Sequence, residues 1–468
     1  MTTPGQAATL GRWQSGGAST APWTAIAGVL LLIGLAAFLV DRRLGIGVCA
    51  VLAAPIFVLA PEKGLLIFIA ALPFDGVSSL EADRMLSLTR VLGLAVIGGW
   101  LLNLLAQQRR VIITRGAWWL IAYVGFAALS IVWATDRDVT RAALLTLGQL
   151  LLLCVVATNV LRTPRDVERA IDVLIASATV LALVVLWQMP IGAKRVSFTF
   201  GASSVNPNYL AASLVFPAVA AIGRGRSRGP FGWWRLASAV PLVIAIALTG
   251  SRGGGFAFLG GIAMIGVLRR RLGLRLVAGG VALAVLLPAA FPQTVDRLWN
   301  RYSAAEQDRL SGRMDIWRVA FAMVEDHPLQ GTAYGGFQDA FYDYMVRTDV
   351  DPVFARAHSR GNRNAHNIYI ANLAELGIVG FGLLIVALAS HVRALWRAWG
   401  IALWARDEAL AALCVALLGV FASLVLFGTT IDLFGTKEPW IWLAAIEASA
   451  CIALADVRVL AGARVRPS

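Results

Sequence analysis

The chain reads as apolar runs broken by short polar stretches. A membrane-crossing helix needs about 20 mostly apolar residues. Runs approaching that length fall near 24–40, 44–60, 64–75, 89–106, 117–134, 141–161, 168–189, 207–222, 236–250, 253–268, 274–291, 370–390, 409–427 and 438–455. The pattern predicts an all-α polytopic membrane protein with about 12–14 transmembrane helices, the lower number applying if two short early runs merge or turn back. One polar interval is long, residues 292–365. Within it, 311–325 (SGRMDIWRVAFAMVE) carries Trp317, Phe321 and Val324 at helical spacing, with Ser311 placed to cap. This predicts an amphipathic helix on the outer membrane face or over the bundle. DHPLQGTAYGGF (326–337) follows as a Pro- and Gly-punctuated turn region.

Composition sharpens this picture. Of 468 residues, 58% are hydrophobic and only 15% charged, with mean hydropathy +0.72. So few charges would not cover the roughly three soluble domains of ~150 residues that the length alone suggests. A net charge of +14 points to nucleic acid in a soluble chain, but in a membrane protein it first reports basic cytoplasmic loops. With the N-terminus inside, the cytoplasmic segments hold 22 of the 41 Lys and Arg residues, including Arg109, Arg110, Arg224, Arg269 and Arg270. Nine of the others lie in 292–365, a loop too long to vote on topology. Both termini are therefore predicted to be cytoplasmic and the long loop to face outward, against the dissent of Arg42 and Arg43.

The expected organisation is a disordered cytoplasmic tail at 1–23, a helix bundle at 24–291, the outer loop at 292–365, C-terminal membrane helices at 366–455 and a cytoplasmic tail at 456–468. Cys49, Cys154, Cys414 and Cys451 all lie in apolar runs, so neither a disulfide framework nor a cysteine metal site is expected.

Four polar constellations fall at the predicted outer boundary. LTGSRGGGF (248–256) ends a span with Ser251, Arg252 and Gly253 where the backbone can approach a ligand and a helix start attracts anions; a tight turn with a snorkelling arginine is the structural alternative. Arg313 sits at a predicted helix start, unfavourable against the macrodipole unless an anion is near, while Arg318 points elsewhere. HNIYIANLAELGIVG (366–380) places His366 where the chain returns to the membrane, suited to accepting a proton from a hydroxyl. Asn367 and Tyr369 stand beside it, and Glu375 lies deeper on another face. SVNPNYLAAS (204–213) offers Asn206 and Asn208 for glycan contact or for helix capping, the commoner use. Two DxD patterns, Asp136-Arg137-Asp138 and Asp349-Val350-Asp351, are too short to specify a metal, and no metal site or cofactor is expected. His358 has no assigned role.

Taken in order, SRGG (251–254), SGRMDIW (311–317) with HPLQGTAYGGF (327–337), and H-N-x9-G-x-x-G (366–380) resemble the O-antigen ligase and O-antigen polymerase superfamily of bacterial envelope glycan enzymes. The similarity covers roughly 200–455. It implies a metal-independent inner-membrane glycosyltransferase with a periplasmic active site, taking its glycan from undecaprenyl pyrophosphate. Arg252 and Arg313 would neutralise the diphosphate leaving group. His366 would deprotonate an acceptor hydroxyl that attacks the anomeric carbon in one inverting displacement. Asn367, Asn206, Asn208, Ser251, Gly253, Arg318 and Tyr369 would line the substrate. The implied partners are the lipid-linked donor, lipid A–core or another glycan as acceptor, and membrane lipids, with no nucleic acid and no protein partner. The single long loop and the His-Asn-x9 spacing favour a lipopolysaccharide ligase over a polymerase. From another class, a lipid-linked glycan transporter stays open, although the spans hold few charges beyond Asp172, Glu375 and Glu447.

Overall fold

The computed structural model describes residues 55–75, 87–108, 110–188, 206–225, 233–269, 313–350 and 364–464, with Ala355 and two short stretches, 199–200 and 203–204. Its helices are α1 (Pro61–Ala71), α2 (Leu88–Gln107), α3 (Arg115–Leu129), α4 (Arg137–Val160), α5 (Pro164–Trp187), α6 (Pro207–Arg224), α7 (Trp234–Thr249) and α8 (Arg252–Leu268), followed by α9 (Arg313–Asp326), α10 (Phe337–Arg347), α11 (Ile368–Trp404), α12 (Glu408–Gly428) and α13 (Lys437–Arg464). All of them lie in the unit Phe57–Ser468. Seven are long and apolar enough to cross a membrane: α2, α3 with its extension to Val132, α4, α5, α11, α12 and α13 as far as Ala455. The protein is an all-α polytopic membrane protein. The spans expected at 24–40, most of 44–60 and 274–291 lie outside the described residues, as do Ser311, Asp351 and His358.

Local chemistry sets the helix starts. Asp136 accepts from the N–H groups of Asp138 at 2.9 Å and Val139 at 3.1 Å, and Asp138 pairs with Arg141 at 2.9 Å. The first DxD pattern is thus occupied in opening α4. Thr163 and Asp166 form a reciprocal capping box with Pro164 in the first turn of α5. At the opposite end of the bundle from the candidate site, Asp172 receives a two-pronged bond from Arg235 at 2.7 and 2.5 Å. Arg224 reaches Glu168 at 3.3 Å beside it. The charge of Asp172 is therefore used to tie α5 to α6 and α7.

Small residues bring α8 onto α12. A Cβ at Gly261 would run into the Ser423 hydroxyl, and Ser423 donates to the Ala257 carbonyl at 2.8 Å. Residues 391–404, expected to connect two spans, instead continue α11. His391 is fully buried there, its Nδ1 2.7 Å from the Ala387 carbonyl and its Nε2 3.5 Å from Glu447 of α13.

The amphipathic helix lies over the bundle. Ile316, Val319, Ala320 and Met323 of α9 pack with Phe337, Phe341 and Met345 of α10 and with Ala371 and Ala374 at the start of α11. Trp317 and Val324 join this core from its edge. Phe321 of the expected apolar stripe is 47% exposed, because the buried stripe runs one position to its side.

Candidate functional site

The site is built around a break in α11. Gly377 has φ 61° and ψ −166°, a conformation open in practice only to glycine. The break frees backbone groups, and the 327–337 segment takes them up. Thr332 N–H donates to the Ala374 carbonyl at 3.0 Å and Ala333 N–H to Glu375 at 2.9 Å. In return Ile378 N–H donates to Pro328 at 2.9 Å and Val379 N–H to Leu329 at 3.4 Å. The Glu375 carboxylate adds a bond from Phe337 N–H at 3.3 Å. What the sequence shows as a turn region is therefore a hairpin docked into a broken membrane helix. Gly331, at φ 67°, faces the Glu375 backbone so closely that a side chain there would collide with it.

His366 immediately precedes the first, short limb of α11. Its φ of 50° is one of four positive values among described non-glycine residues, a strained geometry that recurs at functional sites. Two neighbours fix it. Asn367, 8% exposed, caps the helix by accepting from Tyr369 N–H at 2.9 Å and Ile370 N–H at 3.2 Å. The Trp317 indole N–H, from the second turn of α9, donates to the Ala365 carbonyl at 3.0 Å. Arg313 and His366 thus share one rigid frame.

Arg252 reaches the same region through the 429–436 corner. Ser251 caps α8 by accepting from Gly254 N–H at 3.2 Å. The open side of Gly253 lies directly against Thr430, so this glycine admits the corner rather than leaving a gap. Gly428 in turn abuts Ile368, where a Cβ would come within 2.7 Å. The Tyr369 hydroxyl donates to the Val425 carbonyl at 2.8 Å. Burial lowers the pKa of the Arg313 guanidinium and the positive charge of Arg252 lowers it further, so the two cations sit close enough to repel. Arg252 and Arg313 also each open a helix, where the macrodipole adds positive potential.

The remaining candidates divide. Asn206, exposed, caps α6 by accepting from Asn208 N–H at 2.9 Å, and Tyr209 of the same turn donates to the Asp432 carbonyl at 3.4 Å. Arg318, also exposed, bonds the buried Asp315 at 3.2 Å. Sequence reasoning missed the corner itself: Thr430 and Asp432 belong to no motif, although TTIDLFG (429–435) is a polar interruption between two strongly apolar runs. Burial raises the pKa of the Asp432 carboxyl. Among the described residues no group of three His, Cys, Asp or Glu side chains is arranged to hold a metal ion.

No curated protein matches the chain. Among solved structures it is similar, at 17% identity over 74% of this chain and 98% of the other, to a chain from "Structural coordination of polymerization and crosslinking by a peptidoglycan synthase complex". The TM-score is 0.39, at which the likeness carries no argument. Residues 237–385, the stretch that holds Arg252, Arg313, the docked hairpin and His366, match the family model described as O-antigen ligase. Over this stretch, which is less than half of its length, the chain is similar to the O-antigen ligase family.

Proposed function

We propose that the chain transfers a glycan from undecaprenyl pyrophosphate to an acceptor hydroxyl at the periplasmic face of the inner membrane, with lipid A–core as acceptor and both termini cytoplasmic. The observation that carries this reading is the mutual repulsion of Arg252 and Arg313 at two helix starts, with the Arg313 helix bonded through Trp317 to the residue before His366. Two guanidiniums held in mutual repulsion are stabilised by a dianion between them, and a diphosphate supplies that charge and accepts two-pronged bonds.

In the reaction, the acceptor oxygen attacks the anomeric carbon from the face opposite the diphosphate. The bond from that carbon to the diphosphate oxygen breaks as the new glycosidic bond forms, inverting the centre. The acceptor proton passes to His366. The negative charge that grows on the leaving undecaprenyl diphosphate is met by Arg252 and Arg313, which stay protonated at any physiological pH. The arginines thus provide the charge stabilisation for which other transferases use a metal.

Reconstitution in proteoliposomes tests this. Purified lipid-linked glycan is supplied with lipid A–core, or alone in excess, with chelator present throughout. A single glycolipid product is expected. A ladder of lengthening chains would instead mean polymerase activity, and movement of intact donor without any covalent product would overturn the transferase reading.

A further inference from the structure

Two neighbouring cavities lie beside the segment that leads into His366, and neither is lined by Arg252 or Arg313. The larger, about 230 Å³, is bordered by Asn364 and Ala365, the two residues before His366, and by Glu375 and Asp432. Tyr123, Tyr334 and Phe434 supply aromatic faces, and Gln338 and Asn372 supply carboxamides. Tyr123 donates to Asn372 Oδ1 at 2.5 Å, which fixes both polar groups in place. The smaller cavity, about 110 Å³, shares Thr146 and Gly435 with the first and opens between α2 and α4. Its walls are amphipathic: Leu94, Ile97 and Leu153 on the apolar side, Arg90, Gln149 and Lys437 on the polar. The Lys437 ammonium is held at this rim by Asp75 at 2.7 Å and Thr89 at 3.0 Å. Among the described residues, none from α6, α8 or α9 lines either cavity.

We infer that these cavities form one groove that receives the glycolipid acceptor, entering sideways between α2 and α4 and presenting its terminal sugar to His366. The inference rests on the transferase reading. A sugar ring has two apolar faces and a rim of hydroxyls, and the inner cavity matches it with aromatic faces, amides and carboxyls. Its volume suits a single sugar rather than a chain. The outer cavity suits what a membrane-anchored acceptor carries behind that sugar: an anionic group for Arg90, beside the ion-paired Lys437, and hydrocarbon along Leu94, which is 51% exposed. With neither Arg252 nor Arg313 in its lining, the groove leaves the arginines to the donor.

Two experiments on the full-length protein in proteoliposomes decide this. A photoreactive benzoylphenylalanine at Gln149 should capture purified lipid A–core, whereas the same group at Leu259, exposed on α8, should not. Equal capture at both sites, or none at Gln149, overturns the groove. This readout needs no turnover, so it stands even if the wild-type protein proves inactive and the transferase reading fails. With an active protein, Thr146→Trp should raise the acceptor KM at least tenfold and leave the donor KM within twofold. Asp432→Asn, a change of little volume, should raise the acceptor KM in the same direction. A rise in donor KM, or an unchanged acceptor KM in both variants, contradicts the assignment.

Discussion

Replacing Gly377 by alanine attacks the joint between hairpin and helix at a single atom. The new Cβ would sit 2.6 Å from Gln330 N and closer still to the Leu329 backbone. It would also hold alanine at φ 61° and ψ −166°. Such a conformation costs on the order of 1–3 kcal/mol outside glycine, and overfilling a packed contact adds about 1–3 kcal/mol. Against this stand four backbone hydrogen bonds between the docked segment and α11, from Thr332, Ala333, Ile378 and Val379 N–H, together contributing roughly 2–6 kcal/mol. The two totals are comparable, so the substitution should remove most of the free energy that keeps the hairpin docked. Hydrogen exchange with mass spectrometry reads this directly. Opening of 328–335 should become easier by about 4 kcal/mol, close to three orders of magnitude in exchange rate. Peptides from α12 should be unaffected. Transfer should fall with the loss of protection, since His366 stands at the end of the limb that the hairpin holds. Wild-type exchange in this variant would refute the reasoning, because it would mean that the break in α11 does not depend on glycine.

Other consequences follow from the same geometry. Arg252→Lys keeps the charge but loses the planar fork, so transfer should drop by about 10²-fold while the protein stays folded; unchanged initial rates would reduce Arg252 to a boundary residue. Trp317→Phe removes the bond to the Ala365 carbonyl, worth about 0.5–1.5 kcal/mol. It should lower transfer by no more than about tenfold, and a larger loss would show that the indole does more than hold the chain before His366.

The hydropathy pattern located the seven long spans because crossing a bilayer demands a long apolar run whatever the fold. The motifs with Arg252, Arg313 and His366 were legible because each combines a charged or titratable side chain with glycines at a predicted boundary. The docking of 327–337 into α11 was not, since backbone N–H and C=O groups make those bonds and every residue carries them. Only Gly331, Gly335 and Gly377 marked the place, and positive φ values cannot be told from close packing in a sequence. The exposure of Phe321 was not legible for a related reason: helical spacing identifies an apolar stripe, but the position of α10 and α11 decides which edge of it is buried. Thr430 and Asp432 were invisible because a corner between two spans has no periodicity to read.

The proposed mechanism turns on His366 as the base. His366→Ala should insert normally and bind lipid-linked donor as the wild type does, through Arg252 and Arg313, yet form no glycosidic product in the reconstituted assay. If that variant transfers glycan at the wild-type rate, the proton goes elsewhere and the mechanism is wrong.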